Sequence, residues 1–268
     1  MPFNTNGTLV TDQREIAISD TWETQTDWEA YQSNSNIDIS NGTLSLTEFT
    51  ALDVSMFSDP QYQFYAASIE ATDGDSPVPF PETLAGLSSA TAVGSPTYRV
   101  DKNGQYDTVD YADTTDNYGH NWDAENDSVT GDAYSVAALI WLNSPGDNVG
   151  VFSWGSGTEA FLIIDISGSI SVAAGTSDPD RYGTVPTGEF STVGFSFSNG
   201  NYNFYINGSN VGSESSGTPD SIDTGNIGIG YSRERNNSWF DGFITEVVVS
   251  NTEESGTAFS DYHNNRLP

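Results

Sequence analysis

Residues 191–208 decide the fold; they read Ser-Thr-Val-Gly-Phe-Ser-Phe-Ser-Asn-Gly-Asn-Tyr-Asn-Phe-Tyr-Ile-Asn-Gly. On both sides of Asn199-Gly200, apolar side chains alternate with polar or small ones, which is typical of half-buried strands. Asn-Gly suits the positive-φ positions of a type I′ turn, whose twist matches the strands that it joins. Asn207-Gly208 and Ser167-Gly168 mark two further tight turns. This part of the chain is therefore predicted to be a series of antiparallel hairpins.

The same pattern extends over most of the chain. Helical periodicity is nearly absent, and Gly, Ser, Thr, Asn and Asp separate short alternating segments, as in a sandwich or jelly roll. The acid-rich stretch Ala112–Gly131 is long for a hairpin connection, so we interpret it as a functional or partner-contacting loop. The segments predicted as strands are Ile37–Leu46, Gln105–Tyr111, Tyr134–Leu142, Gly150–Trp154, Ala160–Ile166, Ile170–Ala174, Ser191–Ser198, Asn201–Ile206, Asn226–Tyr231 and Phe240–Ser250. We expect an all-β, antiparallel two-sheet jelly-roll sandwich.

The charge balance is extreme, with 38 Asp+Glu against 7 Lys+Arg and a formal net charge of −31. Lys102 is the only lysine. A large single-sign field destabilises a compact protein by self-repulsion, but at about 1 M salt the Debye length is only about 3 Å. The acids are spread along the chain and 12% of residues are aromatic, which disfavours disorder. We interpret the chain as adapted to a hypersaline environment; the alternative is an ordinary acidic protein.

Composition disfavours several classes of function. There is no basic patch to neutralise phosphates, so a nucleic-acid partner is not expected. The chain has no cysteine, which excludes disulfides, thiolate metal sites and cysteine nucleophiles. No apolar run approaches the ~20 residues that span a bilayer, so membrane insertion is not expected. His120 and His263 have no adjacent acid–histidine pattern, and we interpret both as polar surface residues rather than catalytic bases.

The N-terminal part differs in texture from the rest. Residues Met1–Gln13 contain few apolar side chains and cannot bury a core of their own. We predict an N-terminal arm with a few extra strands in residues 1–61, which anchors and assembles the protein, and a jelly-roll domain in residues 62–268. Because a polar terminus is usually frayed unless something holds it, we expect a homo-oligomer in which a neighbouring subunit orders the arm. The first residues show no secretion signal, so export by a visible signal is not expected.

Several short motifs resemble those of one family. The most specific is Phe204–Gly208, which resembles a Tyr-Val-Asn-Gly hairpin of that family. The other pieces, in order, are Phe64–Ser68, Asp73–Asp75, Gly94–Tyr98, Asn103–Val109, Tyr134–Trp141, Ile227–Gly230 and Phe240–Val248. From about Tyr62 to its end, the chain thus resembles the laminin-G-like domains of the concanavalin A-like lectin/glucanase superfamily. The resemblance implies a two-sheet antiparallel jelly roll and does not cover residues 1–61.

Hydrolases of this superfamily carry a Glu-x-Asp-x-x-Glu run on one strand, and retaining enzymes need two carboxylates about 5–5.5 Å apart. Here Glu125-Asn126-Asp127 is followed by Thr130 where the second Glu would stand, and Leu162–Ile166 offers the single acid Asp165. We therefore expect no enzyme and assign no catalytic residue.

Some laminin-G-like domains bind Ca²⁺ through carboxylate and carbonyl oxygens at a loop rim. Asp73-Gly74-Asp75 and Asp178-Pro179-Asp180 have suitable chemistry. A solvated loop is the favoured interpretation of both, so Ca²⁺ stays open and no metal ligand is assigned.

Glycan recognition uses aromatic rings that stack on sugar faces and polar groups that bond hydroxyls. Trp141, Trp154 and Phe161 fall on predicted strands and are interpreted as core. The predicted ligand-binding residues lie in or beside loops and are Trp122, Arg181, Tyr182, Tyr231, Arg233, Arg235 and Trp239. Local ion pairing of the arginines with surrounding acids is an equal alternative. The favoured contact is the Tyr231–Trp239 loop, where stacking would supply most of the affinity and the arginines would meet acidic sugars.

Together these features predict a surface protein of a haloarchaeal virus particle, such as a tail fibre, turret or capsid spike. It would be made in the host cytoplasm without a signal peptide, assemble with other virion proteins, and attach to a host cell-surface glycan or glycoprotein. Two alternatives stay open: an extracellular carbohydrate-binding domain of a secreted or S-layer haloarchaeal protein, and a halophilic polysaccharide hydrolase.

Overall fold

The computed structural model describes most of the chain after residue 52. The described residues there are 53–85, 88–103, 105–111, 118–122, 128–129, 133–146, 149–154, 160–164, 167–174, 180–215, 222–223, 227–231 and 239–267. Before residue 53, it describes residues 8–11, 14–17, 37–40 and 43–46. The chain divides into two compact units, Met1–Thr50 and Ala51–Pro268. The second unit thus begins before the predicted boundary at residue 62.

Two antiparallel hairpins form the described part of the first unit. Strand β1 (Thr8–Thr11) pairs with β2 (Arg14–Ala17), and β3 (Ile37–Ser40) pairs with β4 (Thr43–Leu46). The prediction of one continuous strand over 37–46 was therefore wrong. In the sequence, strands β3 and β4 are separated by Asn41-Gly42, the dipeptide that most favours a tight hairpin turn.

Sixteen strands, a short 3-10 helix (Ala66–Ser68) and one α-helix, α1 (Gly256–Arg266), make up the described part of the second unit. The strands are β5 (Pro60–Tyr65), β6 (Thr91–Val93), β7 (Thr97–Lys102), β8 (Tyr106–Asp110), β9 (Gly119–Trp122), β10 (Ser128–Val129), β11 (Ala133–Leu142), β12 (Val149–Trp154), β13 (Ala160–Ile164), β14 (Ile170–Ala174), β15 (Phe190–Ser198), β16 (Asn201–Ile206), β17 (Ser209–Ser215), β18 (Ile222–Asp223), β19 (Ile227–Ile229) and β20 (Gly242–Ser250). Among the described residues, no helix is long and apolar enough to cross a membrane.

Two large antiparallel sheets build the sandwich. The eight-stranded sheet has the order β17-β16-β15-β11-β20-β8-β7, with β5 pairing along the other part of β20. The six-stranded sheet has the order β14-β13-β12-β19-β9-β6. Strands β10 and β18 form a separate two-stranded sheet. The predicted two-sheet jelly-roll sandwich is confirmed.

The core between the two large sheets is rich in aromatic side chains. Trp154 stacks on Phe195 with ring centroids 5.4 Å apart and planes at 16°. Trp122 meets Tyr62 and Phe64 edge to face at 4.8 and 5.1 Å. These rings bridge the sheets, because Trp122 and Trp154 lie on the six-stranded sheet and their partners on the other. Packing of this kind joins the two layers into one unit.

Strand β11 is buried on both faces. Val136, Ala138 and Ile140 face the core between the sheets, whereas Ala137 and Leu139 face outward under a second apolar layer. A strand that is covered on both sides has no reason to alternate apolar and polar residues. The near-continuous apolar run of this segment in the sequence follows from that position.

Helix α1 supplies the cover on the outer face of the eight-stranded sheet. Ser255 caps its start by accepting a hydrogen bond through Oγ at 3.2 Å. Phe259 stacks on Tyr205 of β16 with centroids 4.0 Å apart. A side chain at Gly194 would approach Phe259 Cε1 to 2.7 Å, so the glycine makes room for the helix. This helix is the one α-helix among the described residues, which agrees with the expectation of a chain almost without helical structure.

A buried ion pair fixes this helix to the sheet. Glu246 of β20 is fully buried and Arg266 is 2% exposed, with Arg266 Nε donating to Glu246 Oε2 at 2.7 Å. Tyr262 donates through its hydroxyl to the same oxygen at 3.0 Å, and Gln63 Nε2 donates to Oε1. Arg266 Nη2 also donates to the Asp53 carbonyl oxygen at 2.9 Å. Burial raises the pKa of Tyr262 well above its ordinary value, so the phenol stays a donor.

The predicted hairpins agree with the structure. Asn199 and Gly200 have φ of +49° and +81°, and Asn207 and Gly208 have φ of +48° and +72°. These turns join β15 to β16 and β16 to β17. The interpretation of Ala112–Gly131 as one long loop was wrong in its centre, because that stretch contains β9, which pairs with both β19 and β6.

Candidate functional site: an aromatic stack on the six-stranded sheet

The outer face of the six-stranded sheet can be assigned from the residues that point the other way. His120, Trp122, Ile227 and Ile229 face the core. Their neighbours along β9 and β19 therefore face outward, since side chains alternate along a strand. The outward positions whose side chains the structure describes, which we call the neutral face, include Thr91, Val93, Gly119, Asn121, Ser153, Ser171 and Gly228.

Tyr231 lies against this face because two glycines leave space for its ring. A Cβ at Gly119 would overlap the Tyr231 ring, and one at Gly228 would crowd it as well. Tyr231 is 3% exposed, and its hydroxyl donates to Asn121 Oδ1. A larger residue at Gly119 would displace the tyrosine ring, whereas one at Gly228 would meet Ser153 Oγ first, at 2.5 Å.

Trp239 pairs with Tyr231 across an isolated antiparallel bridge. The two rings stack with centroids 4.7 Å apart and planes at 5°. Trp239 is half-buried, and neither ring belongs to a hydrophobic core cluster of the described residues. We call this pair the aromatic stack; it is an addition to the sheet surface rather than part of the sandwich core.

Buried hydroxyl groups lie on the same face. Ser153 and Ser171 are fully buried, and their Oγ atoms have no hydrogen-bond partner among the described residues. A buried hydroxyl without a partner costs free energy comparable to a lost hydrogen bond. Because both serines are fully buried, their hydroxyls lie beneath the accessible surface of the neutral face.

Arg181 and Tyr182 lie elsewhere, at the edge of the sandwich. The Tyr182 backbone bridges Ile170 of β14, while its ring stacks on Phe204 of β16 at 4.9 Å and its hydroxyl donates to the Ser213 carbonyl oxygen. Burial raises the pKa of Tyr182. Arg181 is exposed. This segment closes the gap between edge strands of the two sheets, three strands away from β19.

The structure places Trp122 inside the core rather than in a loop. It is 1% exposed on β9, and its Nε1 donates to the Ser88 carbonyl oxygen at 2.7 Å. Its ring is therefore unavailable for stacking on a sugar, and its prediction as a loop residue for ligand binding was wrong. Arg233 and Arg235 lie outside the described residues; in the sequence they stand between Tyr231 and Trp239.

His120 is also a core residue, which corrects its interpretation as a surface residue. It is fully buried, and its Nε2 donates to the Val78 carbonyl oxygen at 2.7 Å. That bond leaves Nδ1 as the acceptor for the Tyr111 hydroxyl, also at 2.7 Å. Burial lowers the pKa of His120 to about 4. His263 is half-buried beside Thr192, and burial lowers its pKa too.

A family model for the concanavalin A-like lectin/glucanases superfamily, of laminin-G type, matches residues 100–257, more than half of the chain. The chain belongs to the concanavalin A-like lectin/glucanases superfamily. The predicted resemblance is confirmed over these residues. No protein with curated annotation matches the sequence.

Solved structures similar to this superfamily member share its fold at low sequence identity. Domain 4 of a GH43 extracellular arabinanase from Geobacillus stearothermophilus, in complex with arabinotriose, is 16% identical with a TM-score of 0.55; the match covers 76% of this chain and 98% of that domain. Trypanosoma rangeli sialidase in complex with sialic acid is 12% identical with a TM-score of 0.55, over 79% of this chain and 34% of the sialidase. The chain thus spans about a third of the length of the sialidase chains that it matches.

Ca²⁺ was left open by the sequence, and the structure describes the first of the two candidate turns. No group of three or more His, Cys, Asp or Glu side chains converges among the described residues. Asp73 Oδ1 accepts from the Val100 backbone N–H, and Asp75 Oδ2 accepts from that of Thr72. The Asp75 carboxylate stabilises its own turn, whereas the Asp73 carboxylate joins that turn to β7. Of the second candidate, Asp178-Pro179-Asp180, only the exposed Asp180 is described.

The sequence analysis missed the floor of the site. Asn121 holds the Tyr231 hydroxyl, and Gly119 and Gly228 receive its ring. The only sequence signal for these residues was Gly119-His120-Asn121-Trp122, where small or polar residues alternate with large rings inside an acidic stretch, as in a strand.

Proposed function

We propose that the Ala51–Pro268 unit binds host-surface glycan through the aromatic stack, without cleaving it. In this proposal the protein is part of the surface of a haloarchaeal virus particle, as a tail fibre, turret or spike. The arabinanase domain of this fold is in complex with arabinotriose, and the sialidase, a third of which matches this chain, is in complex with sialic acid; both make a glycan the first ligand class to test.

The stack is the observation that carries the proposal. A half-buried indole that lies flat on a buried phenol presents an apolar ring surface next to hydrogen-bonding side chains, the combination that ligand sites use to orient a partner. Tyr231 is held in place by the sheet and by Asn121, so Trp239 packs on a fixed support. A rigid support lowers the entropic cost of binding.

The position of the first described residues of the unit supports a role in display. Val54 and Phe57, near the start of the unit, pack beside α1 on the outer face of the eight-stranded sheet. The aromatic stack lies on the outer face of the other sheet. The first described residues of this unit thus lie on the side of its sandwich opposite the stack.

The net charge of −31 supports a hypersaline setting, because repulsion between surface carboxylates is screened in molar salt. A protein on the surface of a virus particle is exposed to such a medium, and so is a secreted or S-layer protein. Mass analysis of purified virions, compared with the extracellular protein fraction of uninfected cells, separates the two.

Binding without hydrolysis is favoured because the buried carboxylates hold structural bonds. Glu246 pairs with Arg266, and Glu254 Oε1 accepts from the hydroxyls of Ser250 and Thr252. One carboxylate favours the hydrolase alternative: burial raises the pKa of Glu214 on β17, while a hydrogen bond from the Asp180 backbone lowers it in part and the Asp180 charge raises it. A raised carboxyl pKa beside a second carboxylate suits a general acid.

A reducing-sugar assay on a panel of polysaccharides tests this alternative. The binding proposal expects no product from the wild type. Product that disappears in Glu214→Gln would replace it with the hydrolase.

The main test compares Trp239→Ala with Arg233→Ala in cell adsorption and thermal unfolding. The proposal expects W239A to fold and to adsorb at least about ten-fold less, since hot-spot aromatics commonly contribute that much. Loss of one stacked pair should lower stability by about 1 kcal/mol. A stable W239A that adsorbs normally would refute the site. A loss of about 3–5 kcal/mol, as for a core tryptophan, would show that Trp239 is structural.

A further inference from the structure

The described side chains around the aromatic stack carry no charge. The outward positions of the six-stranded sheet whose side chains the structure describes carry Gly, Ser, Thr, Val and Asn, and the stack adds Tyr231 and Trp239. The chain as a whole has 38 acidic residues. A charged ligand group at this face would therefore meet neither a partner nor a repelling charge from its described floor.

The described cations are engaged away from the stack. Arg266 is buried with Glu246, and Arg99 pairs with Asp110 at 3.1 Å on the eight-stranded sheet. Lys102 Nζ lies 3.9 Å from the centre of the Phe243 ring, also on that sheet. Arg181 belongs to the edge segment beside β14. Among the cations of this unit, only Arg233 and Arg235 are close to the stack in sequence, and Glu234 stands between them.

Hydrogen-bonding groups without charge lie at the phenol end of the stack. Asn121 Oδ1 accepts from the Tyr231 hydroxyl, which leaves the two N–H groups of Nδ2 without a hydrogen bond to any described residue. Thr91, on the neighbouring strand, is paired with Asn121 and is exposed. An amide and a hydroxyl beside an aromatic ring bond sugar hydroxyls and do not require a carboxylate or sulfate.

The net charge of the chain also disfavours an anionic ligand. At low salt, a net charge of −31 repels an anionic polysaccharide at long range. In molar salt, ionic attraction to one or two arginines is screened within about 3 Å. Stacking and neutral hydrogen bonds keep their strength under these conditions.

We infer that the ligand of the aromatic stack is a neutral glycan chain, recognised by Trp239 together with Asn121 and Thr91. This inference rests on the proposed function and replaces the sequence-based expectation of acidic sugars. It assigns to Asn121 the role of a ligand donor in addition to that of a support for Tyr231.

The test compares matched ligands on the full-length protein in about 3 M NaCl. Neutral hexose oligosaccharides are titrated by calorimetry beside their uronic-acid counterparts of the same length and linkage. The inference expects the neutral member of a pair to bind at least about ten-fold more tightly, and expects W239A to abolish that binding. Tighter binding of the acidic member, lost in Arg233→Gln/Arg235→Gln, would overturn the inference and leave the proposed function intact. No binding of either class would refute the proposed function itself.

Asn121→Asp provides a second, nearly isosteric test. The variant keeps Oδ1 as an acceptor for Tyr231 and removes the amide donors. The inference expects neutral-glycan affinity to fall about three- to ten-fold, the worth of one or two neutral hydrogen bonds, at an unchanged melting temperature. Thr91→Val, a change at an exposed site, should give a smaller loss. Unchanged affinity in a folded N121D would exclude Asn121 as a ligand donor and overturn this part of the inference.

Discussion

The buried His120 should make the stability of the sandwich depend on pH. In the neutral ring, Nε2 donates to Val78 and Nδ1 accepts from Tyr111, and burial lowers the pKa from 6.5 to about 4. Between these values the unfolded chain binds the proton and the folded chain does not, so stability is complete above about pH 7 and falls with pH. A pKa difference of about 2.5 units contributes at most about 3 kcal/mol to the free energy of unfolding. About 2 kcal/mol of this contribution is lost when the pH is lowered to about 5.

The assay is urea unfolding in about 3 M NaCl at several pH values between about 8 and 5. His120→Gln should show a flatter pH dependence than wild type by about 2 kcal/mol, whereas His263→Gln, the control at the half-buried histidine, should retain most of it. Protonation of carboxylates acts equally in all three proteins, so the differences isolate the histidines. Should H120Q not fold, NMR titration of the native wild type replaces it. An imidazole of His120 that titrates near pH 6.5 in the native protein would refute the reasoning.

Three further predictions concern salt, the buried ion pair and the N-terminal region. The melting temperature should fall as NaCl is lowered from molar to tens of millimolar, and recover on acidification at low salt towards the carboxylate pKa values; a melting temperature independent of NaCl would remove the halophilic interpretation. Arg266→Met leaves Glu246 buried without its cation and should cost about 3–5 kcal/mol in urea unfolding, with partial recovery when Glu246→Leu is added, whereas a cost below about 1 kcal/mol would contradict the assigned pair. Removal of residues 1–35 should leave the circular dichroism of the sandwich intact and abolish oligomers in sedimentation experiments, and a truncated protein that still assembled would place the anchor elsewhere.

Local chemistry explains which parts of the fold the sequence predicts well. The β15–β16 and β16–β17 hairpins depend on Asn-Gly turns and on alternation within a few residues, and both are present as predicted. Strand β9 has no such local signal. Its four residues become a strand because β19 and β6 pair with them on either side, and both partners are remote in sequence. Trp122 and His120 were misplaced for this reason.

The sequence analysis did not identify helix α1, for a different reason. Ala258, Phe259, Tyr262 and Arg266 are buried at helical spacing, and Ser255 caps the start, so the signal was present but short. Arg266 obscures it, because a charged residue on the buried side of a helix is read as polar surface. Only its pairing with Glu246, placed opposite by β20, makes that burial favourable.

The sequence predicted the two aromatic residues of the candidate site but not the residues on which they pack. Tyr231 and Trp239 flank a loop with two arginines, and composition alone singles them out. Their parallel stacking depends on an isolated bridge, on two glycines from different strands and on Asn121, none of which a sequence pattern connects. The uncharged character of the floor likewise emerges only when the register of β6, β9, β19 and β12 is known.

The most direct test of the account is to locate a bound glycan on the protein. A crystal structure with a neutral oligosaccharide that binds the wild type is predicted to show a sugar ring stacked on Trp239, with a hydroxyl within hydrogen-bond distance of Asn121 Nδ2. A sugar bound at the Arg181–Tyr182 edge, or at any place that leaves Trp239 untouched, would contradict the assignment of the aromatic stack as the binding site.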